Sequence, residues 1–264
     1  MSSRPVRPPP LRFMALESLS LAELAAFMAA SPYLRLIGRG DRHPVLVFPG
    51  FTADDRSTRP LRWFLRGQGY WVHGWGLGSN WGPVPRVMEA IEERLLEVHS
   101  RHGVKVSVIG WSLGGIYARH LARLHPDAVR QVITLGSPFR FRPGDRSRAS
   151  GLYDRIHGAG MVPPGMELPE EERPELTVPS TAIYSRTDGV VRWHRCIEED
   201  GPLKESIEVR GSHSGLGHNP AVLIAVTDRL SRREGQWKPF RPPIGTAGLF
   251  PKPSSWRPRE PLQV

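Results

Sequence analysis

One serine in this sequence lies in a setting that could make its hydroxyl a nucleophile. Ser112 is the centre of the pentapeptide GWSLG, with Gly110 and Gly114 two residues away on either side. A β-branched run at 104–109 precedes the pentapeptide, and a helical pattern of apolar residues follows it. In a strand-turn-helix arrangement, the serine would be exposed at the N-terminus of the helix. The turn is so sharp that side chains at the two glycine positions would collide. We therefore predict a catalytic role for Ser112, against the alternative of an ordinary turn.

A serine hydroxyl becomes reactive when a base takes its proton and an acid orients that base. After a strand-turn-helix serine, the acid and then the histidine are expected in loops at the carboxyl ends of later strands. Asp188 fits the acid because it comes three residues after the strand pattern at 180–185. The other acids considered lie at a helix end, in an irregular segment or in an acidic cluster: Asp127, Asp145, Asp154 and Asp200. We predict Asp188 as the orienting acid, against a plain turn aspartate.

Two histidines follow the last strand pattern. His213 comes first, on a loop bracketed by glycines, whereas His218 abuts Asn219 and a proline at the start of the last helix. A capping or packing role is the simpler account of a residue at a helix start. We predict His213 as the base, with His218 as the alternative.

The negative oxygen formed by attack on an acyl group needs two N–H donors. The backbone N–H of Leu113, next to the serine, and that of Phe51, after the first strong strand, are the predicted donors. Apolar residues near these positions are predicted to line a substrate pocket, with ordinary core residues as the equal alternative. They are Trp75, Leu77, Trp81 and Trp111.

Metal and cofactor motifs give weaker signals. His194 lies two residues before Cys196, and no further ligands follow at metal-binding spacing. Gly76 and Gly78 form a G-x-G without the third glycine or the acidic residue of a dinucleotide site. We predict neither a metal nor a cofactor.

The elements needed to position these residues alternate along the chain. Strand patterns lie at 44–51, 69–74, 104–109, 129–136, 180–185 and 205–209. Helical patterns lie at 20–32, 58–68, 85–102, 113–125 and 220–232. Alternation of this kind predicts an α/β fold, with about six mostly parallel strands and helices on both faces.

The ends of the chain and one internal segment depart from this pattern. Residues 1–43 are predicted to be a flexible leader followed by an amphipathic helix, which a capping box at Ser20 and Glu23 would open. Residues 44–235 would form the core, with a Pro- and Gly-rich, cap-like insertion at 138–179. Residues 236–264 read as a proline-rich tail.

Composition narrows the function classes. The 264 residues carry a formal net charge of +10, but the arginines are scattered and no nucleic-acid motif occurs, so no specific nucleic-acid partner is expected. We expect a solvated basic face, with nonspecific contact to anionic lipid or polyanions as the alternative. The single cysteine excludes an internal disulfide. No signal peptide or membrane span is recognised, and we expect a cytoplasmic protein.

The four motifs together resemble the α/β-hydrolase superfamily, in particular compact bacterial triacylglycerol lipases and carboxylesterases with a minimal six-stranded sheet. They are VLVFPGF at 45–51, GWSLGG at 110–115, YSRTDGVV at 184–191 and HSGL at 213–216. The resemblance implies hydrolysis of small-molecule or lipid esters through an acyl-enzyme. Two departures concern substrate range: FPG at 48–50 stands where such lipases usually carry His-Gly, and the segment 138–179 is longer than in lidless members.

Two other kinds of function stay open: a different reaction catalysed by the same triad, and binding without catalysis. An acyltransferase or a thioesterase would have the same triad with a different acceptor or substrate. A non-catalytic scaffold would show a damaged triad, and here all three residue types are present.

Overall fold

A single parallel sheet runs through the computed structural model, which describes residues 5–34, 36–142, 144–158, 168–199 and 201–252. Its strands are β1 (Pro44–Phe48), β2 (Trp71–Gly74), β3 (Val106–Trp111), β4 (Val129–Leu135), β5 (Ser180–Ser185) and β6 (Lys204–Val209). The spatial order is β2-β1-β3-β4-β5-β6, and every neighbouring pair is parallel. The predicted six-stranded α/β architecture is confirmed.

Helices cover both faces of this sheet. The long helices are α2 (Ser20–Leu34), α3 (Arg59–Gly67), α4 (Pro85–His102), α5 (Leu113–Leu124) and α7 (Pro220–Ser231). Successive β1 side chains point to opposite faces: Val45 and Val47 join a core with α2, α3 and α7, whereas Leu46 and Phe48 join a core with α4 and α5. The strands β1, β3 and β5 are buried at every position, as expected for the inner strands of a parallel sheet covered on both faces.

The N-terminal segment is ordered where the structure describes it. The backbone N–H of Val6 donates to Asp145 at 2.7 Å, and Val6 accepts from the N–H of Arg146 at 2.9 Å. A helical run follows, comprising α1 (Leu11–Leu16), a 3-10 turn (Glu17–Leu19) and α2. Residues 5–15 thus include a helix and contacts to residues far along the chain, which the sequence did not predict, and the flexibility of the leader stays a prediction. Residues 1–4 lie outside the described residues.

The predicted capping box is also wrong. Ser20 continues a helical run that already began at Leu11, so it caps no free helix end. The helix extends to Leu34 with Pro32 inside it.

The helical run from Leu11 to Leu34 is long and apolar enough to cross a membrane, with a mean hydropathy of 1.5. The sequence patterns did not predict this.

The predicted insertion is built into the core at both of its ends. Phe139, Leu176 and Val178 are buried among the residues of the core that contains α4 and α5. Between them lies α6 (Ser150–His157), which has no buried residue. Residues 159–167 lie outside the described residues, and a cap-like role for the middle of the segment stays a prediction.

Candidate active site

Ser112 lies at the turn between β3 and α5, where the backbone is strained. Its φ of 52° and ψ of −119° are unusual for a residue with a side chain. Its N–H donates to the carbonyl of Leu135 at 2.8 Å, which ties the turn to β4. A Cβ on Gly110 would overlap the backbone of Gly114, and a Cβ on Gly114 would lie 2.5 Å from the Phe48 carbonyl oxygen. The predicted need for glycine at both positions is confirmed.

Asp188 and His213 meet beyond the carboxyl ends of β5 and β6. Asp188 Oδ1 accepts from the N–H groups of Val190 and Val191, both at 2.8 Å, while Oδ2 lies 2.6 Å from His213 Nδ1. Both side chains are buried. Asp188 is held by its own turn and therefore fixes the imidazole orientation, which leaves Nε2 available as a base.

The charge around His213 favours the protonated imidazole. Burial lowers the pKa of His213, but the charge of Asp188 and its hydrogen bond outweigh burial, and Glu17 adds to their effect. The pKa of His213 is therefore raised above its ordinary value of 6.5. An imidazole with a raised pKa is a stronger base for a hydroxyl proton.

His218 occupies a different environment. Its Nε2 is 2.9 Å from the carbonyl oxygen of Ser20. Asn219 caps α7, accepting from the N–H of Ala221 at 2.9 Å. The structure thus brings His213 to Asp188 and gives His218 the packing role that was its alternative.

Ser112 is joined to the His213 loop through its neighbour Trp111. The indole N–H of Trp111 donates to the backbone carbonyl of His213 at 3.1 Å. Among the residues that the structure describes, no hydrogen bond joins the Ser112 hydroxyl to His213. Such contacts are often long without substrate.

Gly136 forms the floor beneath the acid and base. A Cβ at this position would lie 3.1 Å from His213 Nδ1, 3.2 Å from Asp188 Oδ2 and 2.7 Å from Leu216. Its φ of 53° also favours glycine. The sequence reading missed this residue, although a glycine directly after a buried strand was the available signal.

The two predicted N–H donors flank the turn of Ser112. Leu113 is the first residue of α5, so its N–H has no acceptor within the helix. Phe51 follows Gly50, where an added Cβ would lie 3.2 Å from Ser112 Cβ. These positions bring the end of β1 close to the serine.

A buried asparagine that the sequence reading missed holds the Phe51 loop. Asn80 accepts at its backbone carbonyl from the N–H of Thr52 at 2.7 Å, and its side-chain amide donates to the Pro49 carbonyl at 3.0 Å. Its Oδ1 accepts from the Tyr117 hydroxyl at 2.9 Å. Asn80 thereby joins the loop after β1 to α5.

The predicted pocket residues are dispersed. Trp75 is 1% exposed in the core that contains α4 and α5, and its indole N–H donates to the Gly78 carbonyl at 2.9 Å. This burial favours the alternative of Trp75 as a core residue, and the pocket assignment stays a prediction. Trp111 is buried beneath the His213 loop, whereas Leu77 and Trp81 are exposed.

Two carboxylates of the N-terminal helical run contact the loops of the site, and the sequence reading missed both roles. Glu17 accepts from the N–H groups of Gly189, His213 and Ser214. Glu23, read from the sequence as part of a capping box, instead accepts from the side-chain amide of Asn219 at 2.8 Å. These contacts join residues far apart in the chain.

No metal site accompanies this arrangement in the described parts of the chain, where no group of three or more His, Cys, Asp or Glu residues could hold an ion. His194 stacks on Trp193 with ring centroids 3.7 Å apart. Burial and then the charges of nearby arginines lower the pKa of His194 to about 4.

Curated relatives align with part of the chain. The sequence is 31% identical to a pimeloyl-[acyl-carrier protein] methyl ester esterase of Vibrio cholerae, over 32% of this chain and 43% of the relative. It is 33% identical to the protein of the same description from Klebsiella pneumoniae, over 38% of each chain. The chain thus spans less than half the length of these relatives. No family model matches the sequence.

Solved structures align with 74% of the chain. A lipase of Bacillus licheniformis in its mature form gives a TM-score of 0.54 at 14% identity, covering 74% of this chain and 94% of that one. A monoacylglycerol lipase of Paleococcus ferrophilus gives 0.52 at 16% identity, covering 74% and 96%. The strand order, the turn at Ser112 and these likenesses together show that the chain has the α/β-hydrolase fold.

Proposed function

We propose that the protein hydrolyses carboxylic esters with Ser112 as nucleophile, His213 as base and Asp188 as the orienting acid. The observation that carries this proposal is the 2.6 Å contact between His213 and Asp188 beside a strained serine turn. The relatives named as esterases support the same reaction class.

The reaction would proceed in two halves. Ser112 Oγ attacks the acyl carbon while His213 Nε2 takes the hydroxyl proton, and that proton then passes to the departing alkoxide. Water repeats the sequence on the acyl-serine, which releases the carboxylic acid and restores the serine. The N–H groups of Phe51 and Leu113 would face the negative oxygen, where one donor typically contributes about 2.7–4 kcal/mol to transition-state stabilisation.

The substrate class that we infer is a small-molecule or lipid ester. The curated relatives act, by their names, on a methyl ester of an acyl group linked to acyl-carrier protein. From these names we carry over to this chain only the type of bond, an ester formed with a small alcohol. The cytoplasmic location expected from the sequence stays a prediction.

A panel of p-nitrophenyl esters of increasing acyl length tests the proposal. The native chain should hydrolyse at least one ester, and Ser112→Ala should lose turnover by several orders of magnitude. Ser18→Ala changes another, exposed serine and should leave turnover unchanged. Persistent turnover in Ser112→Ala would remove Ser112 as nucleophile.

The same triad could serve an acyltransferase or a thioesterase. Adding alcohol acceptors to the assay distinguishes transfer, because a transferase would form new esters faster than free acid. A matched thioester and oxygen ester identify a thioesterase by preference for the thioester. A native chain inactive on every substrate would favour a binding scaffold.

We also propose that the helical run 11–34 contacts an anionic lipid surface. Large apolar side chains on this run are exposed: Leu11, Met14, Leu19, Leu21, Met28 and Tyr33. The two charged residues among positions 13–34, Glu17 and Glu23, are partly buried and bind the loops of the site. Exposed Arg12 at the start of the run, with Arg39 and Arg42 after its end, would complement an anionic headgroup layer.

Co-sedimentation with vesicles tests this contact. The native chain should sediment with phosphatidylglycerol vesicles more than with phosphatidylcholine vesicles, and added salt should weaken binding. Leu21→Glu should reduce binding, while Leu124→Glu, an equally apolar exposed change on α5, should not. Failure of the native chain to sediment with phosphatidylglycerol vesicles would contradict the proposal.

A further inference from the structure

The carboxylate of Glu17 lies between the loop of Asp188 and the loop of His213. Its Oε1 accepts hydrogen bonds from the N–H groups of Gly189 and His213, both at 2.9 Å. Its Oε2 accepts from the N–H of Ser214 at 2.8 Å. Because Gly189 directly follows Asp188, one side chain binds both the residue after the proposed acid and the proposed base itself.

These contacts keep Glu17 charged. Burial alone would raise the pKa of Glu17, but hydrogen bonds from Ser214, His213 and Gly189 hold it below the ordinary value of 4.5. Charge-assisted hydrogen bonds of this kind are stronger than those between neutral groups. An ionised acceptor therefore fixes both loops at neutral pH.

The loops are shaped to approach the helical run closely. A Cβ on Gly189 would lie 2.5 Å from the Phe13 carbonyl oxygen and 2.9 Å from Glu17 Oε1. A Cβ on Gly215 would overlap the carboxylate of Glu23. Glycine at these two positions permits the backbone to reach the carboxylates.

The apolar attachment of the helical run lies at its other end. Phe27 and Leu34 are buried in the core that contains α3 and α7. Glu17 belongs to the 3-10 turn that precedes α2. Loss of the Glu17 carboxylate should therefore leave the main attachment of the helix in place.

We propose that Glu17 is a positioning residue, whose carboxylate fixes the loops of Asp188 and His213 relative to one another. This inference rests on the proposed function, since it assigns Glu17 a role in the same site. Glu17 touches no reacting atom and acts through His213.

The charge of Glu17 provides a second readout. The groups that act on His213 are Asp188 and Glu17, while Glu23 binds the neighbouring Ser212. Cys196 also lies close to Asp188, but burial and the Asp188 charge raise the pKa of its thiol, which stays neutral. Removal of the Glu17 charge should lower the pKa of His213, whereas a merely structural role would leave it unchanged.

The test compares Glu17→Gln with Ser18→Ala in the full chain. Glutamine retains one acceptor oxygen but turns an amide N–H₂ toward the remaining N–H donors. We expect kcat for p-nitrophenyl butyrate to fall about 10- to 100-fold with KM unchanged. Histidine NMR, with the His213 signal identified by its loss in His213→Ala, should show a lowered pKa for His213. Ser18→Ala, which alters the next residue, should match the native chain in both readouts.

Each outcome separates this inference from the proposed function. Native kcat and native His213 pKa in Glu17→Gln would overturn the positioning role while leaving ester hydrolysis intact. A native chain without esterase activity, in which Glu17→Gln still lowers the His213 pKa, would support the role and remove the function. If Glu17→Gln does not fold, Glu17→Asp retains the charge but is one methylene too short, and native kcat in that variant would overturn the inference.

Discussion

The indole N–H of Trp111 donates to the backbone carbonyl of His213 at 3.1 Å, so the residue before the proposed nucleophile holds the loop of the proposed base. The contact spans 102 residues of sequence and crosses from β3 to the loop after β6. Gly217 allows it, because a Cβ there would overlap the Trp111 ring.

Trp111→Phe should separate packing from this hydrogen bond. Phenylalanine retains an aromatic ring but removes the indole N–H, so the His213 carbonyl keeps only the N–H of Leu216 at 3.4 Å. Loss of the indole hydrogen bond should cost about 0.5–1.5 kcal/mol of unfolding free energy. We expect kcat to fall more than stability implies, because the base loop shifts. Ester kinetics and urea unfolding measure both. Trp71→Phe changes an exposed tryptophan on β2 and should alter neither; equal kcat in both variants would contradict the loop-holding role.

Gly136→Ala should push the acid and base apart. The new methyl group would lie 3.1 Å from His213 Nδ1 and 3.2 Å from Asp188 Oδ2, and the φ of 53° adds strain. A displacement of about 1 Å can cost about 100-fold in rate. Gly76→Ala is the matched control, because its φ of 78° is equally strained but nothing lies within 4 Å of the added Cβ. Similar losses of kcat in the two variants would show that backbone strain, and not the position of the acid and base, causes the loss in Gly136→Ala.

The pH dependence of kcat/KM should report the protonation of His213. Its pKa is raised above 6.5, so the neutral base is present above that raised pKa and is lost as pH falls through it. The acid limb of kcat/KM should therefore lie above pH 6.5. Steady-state kinetics across this range, with stability checked at each pH, would contradict the assignment if the limb lay below 6.5.

Asn80→Ala should release the loop that carries Phe51. The substitution removes the hydrogen bond to the Pro49 carbonyl and leaves the buried Tyr117 hydroxyl without its acceptor. An unsatisfied buried group costs about 1–3 kcal/mol of stability. Tyr117→Phe removes the hydroxyl but retains the hydrogen bond to Pro49, so it should spare kcat while Asn80→Ala lowers it. Equal kcat in the two variants would show that Asn80 does not position Phe51.

The sheet and its serine turn could be predicted because their signals are local. The buried run of β1 and the glycines around Ser112 each follow from residues within one strand or turn. Asp188 and His213 could be proposed because each follows a recognisable strand. The fold likeness of known hydrolases agrees with the first of these predictions.

The errors arose where a local pattern had a distant partner. Glu23 matches a capping box in sequence, yet its partner Asn219 lies 196 residues away. The acidic residues at 198–200 form a cluster in the sequence, which predicts a solvated surface, but Glu198 is buried and paired with Arg119 and Ser180. Composition alone gives no means of pairing a carboxylate with a donor on another element.

The position of Glu17 has a consequence for biosynthesis. The three N–H groups that its carboxylate binds lie 172 to 197 residues later in the chain. Glu17 is therefore synthesised long before the residues that donate hydrogen bonds to it. At 5–20 residues per second, synthesis of the intervening chain takes about 10–40 s.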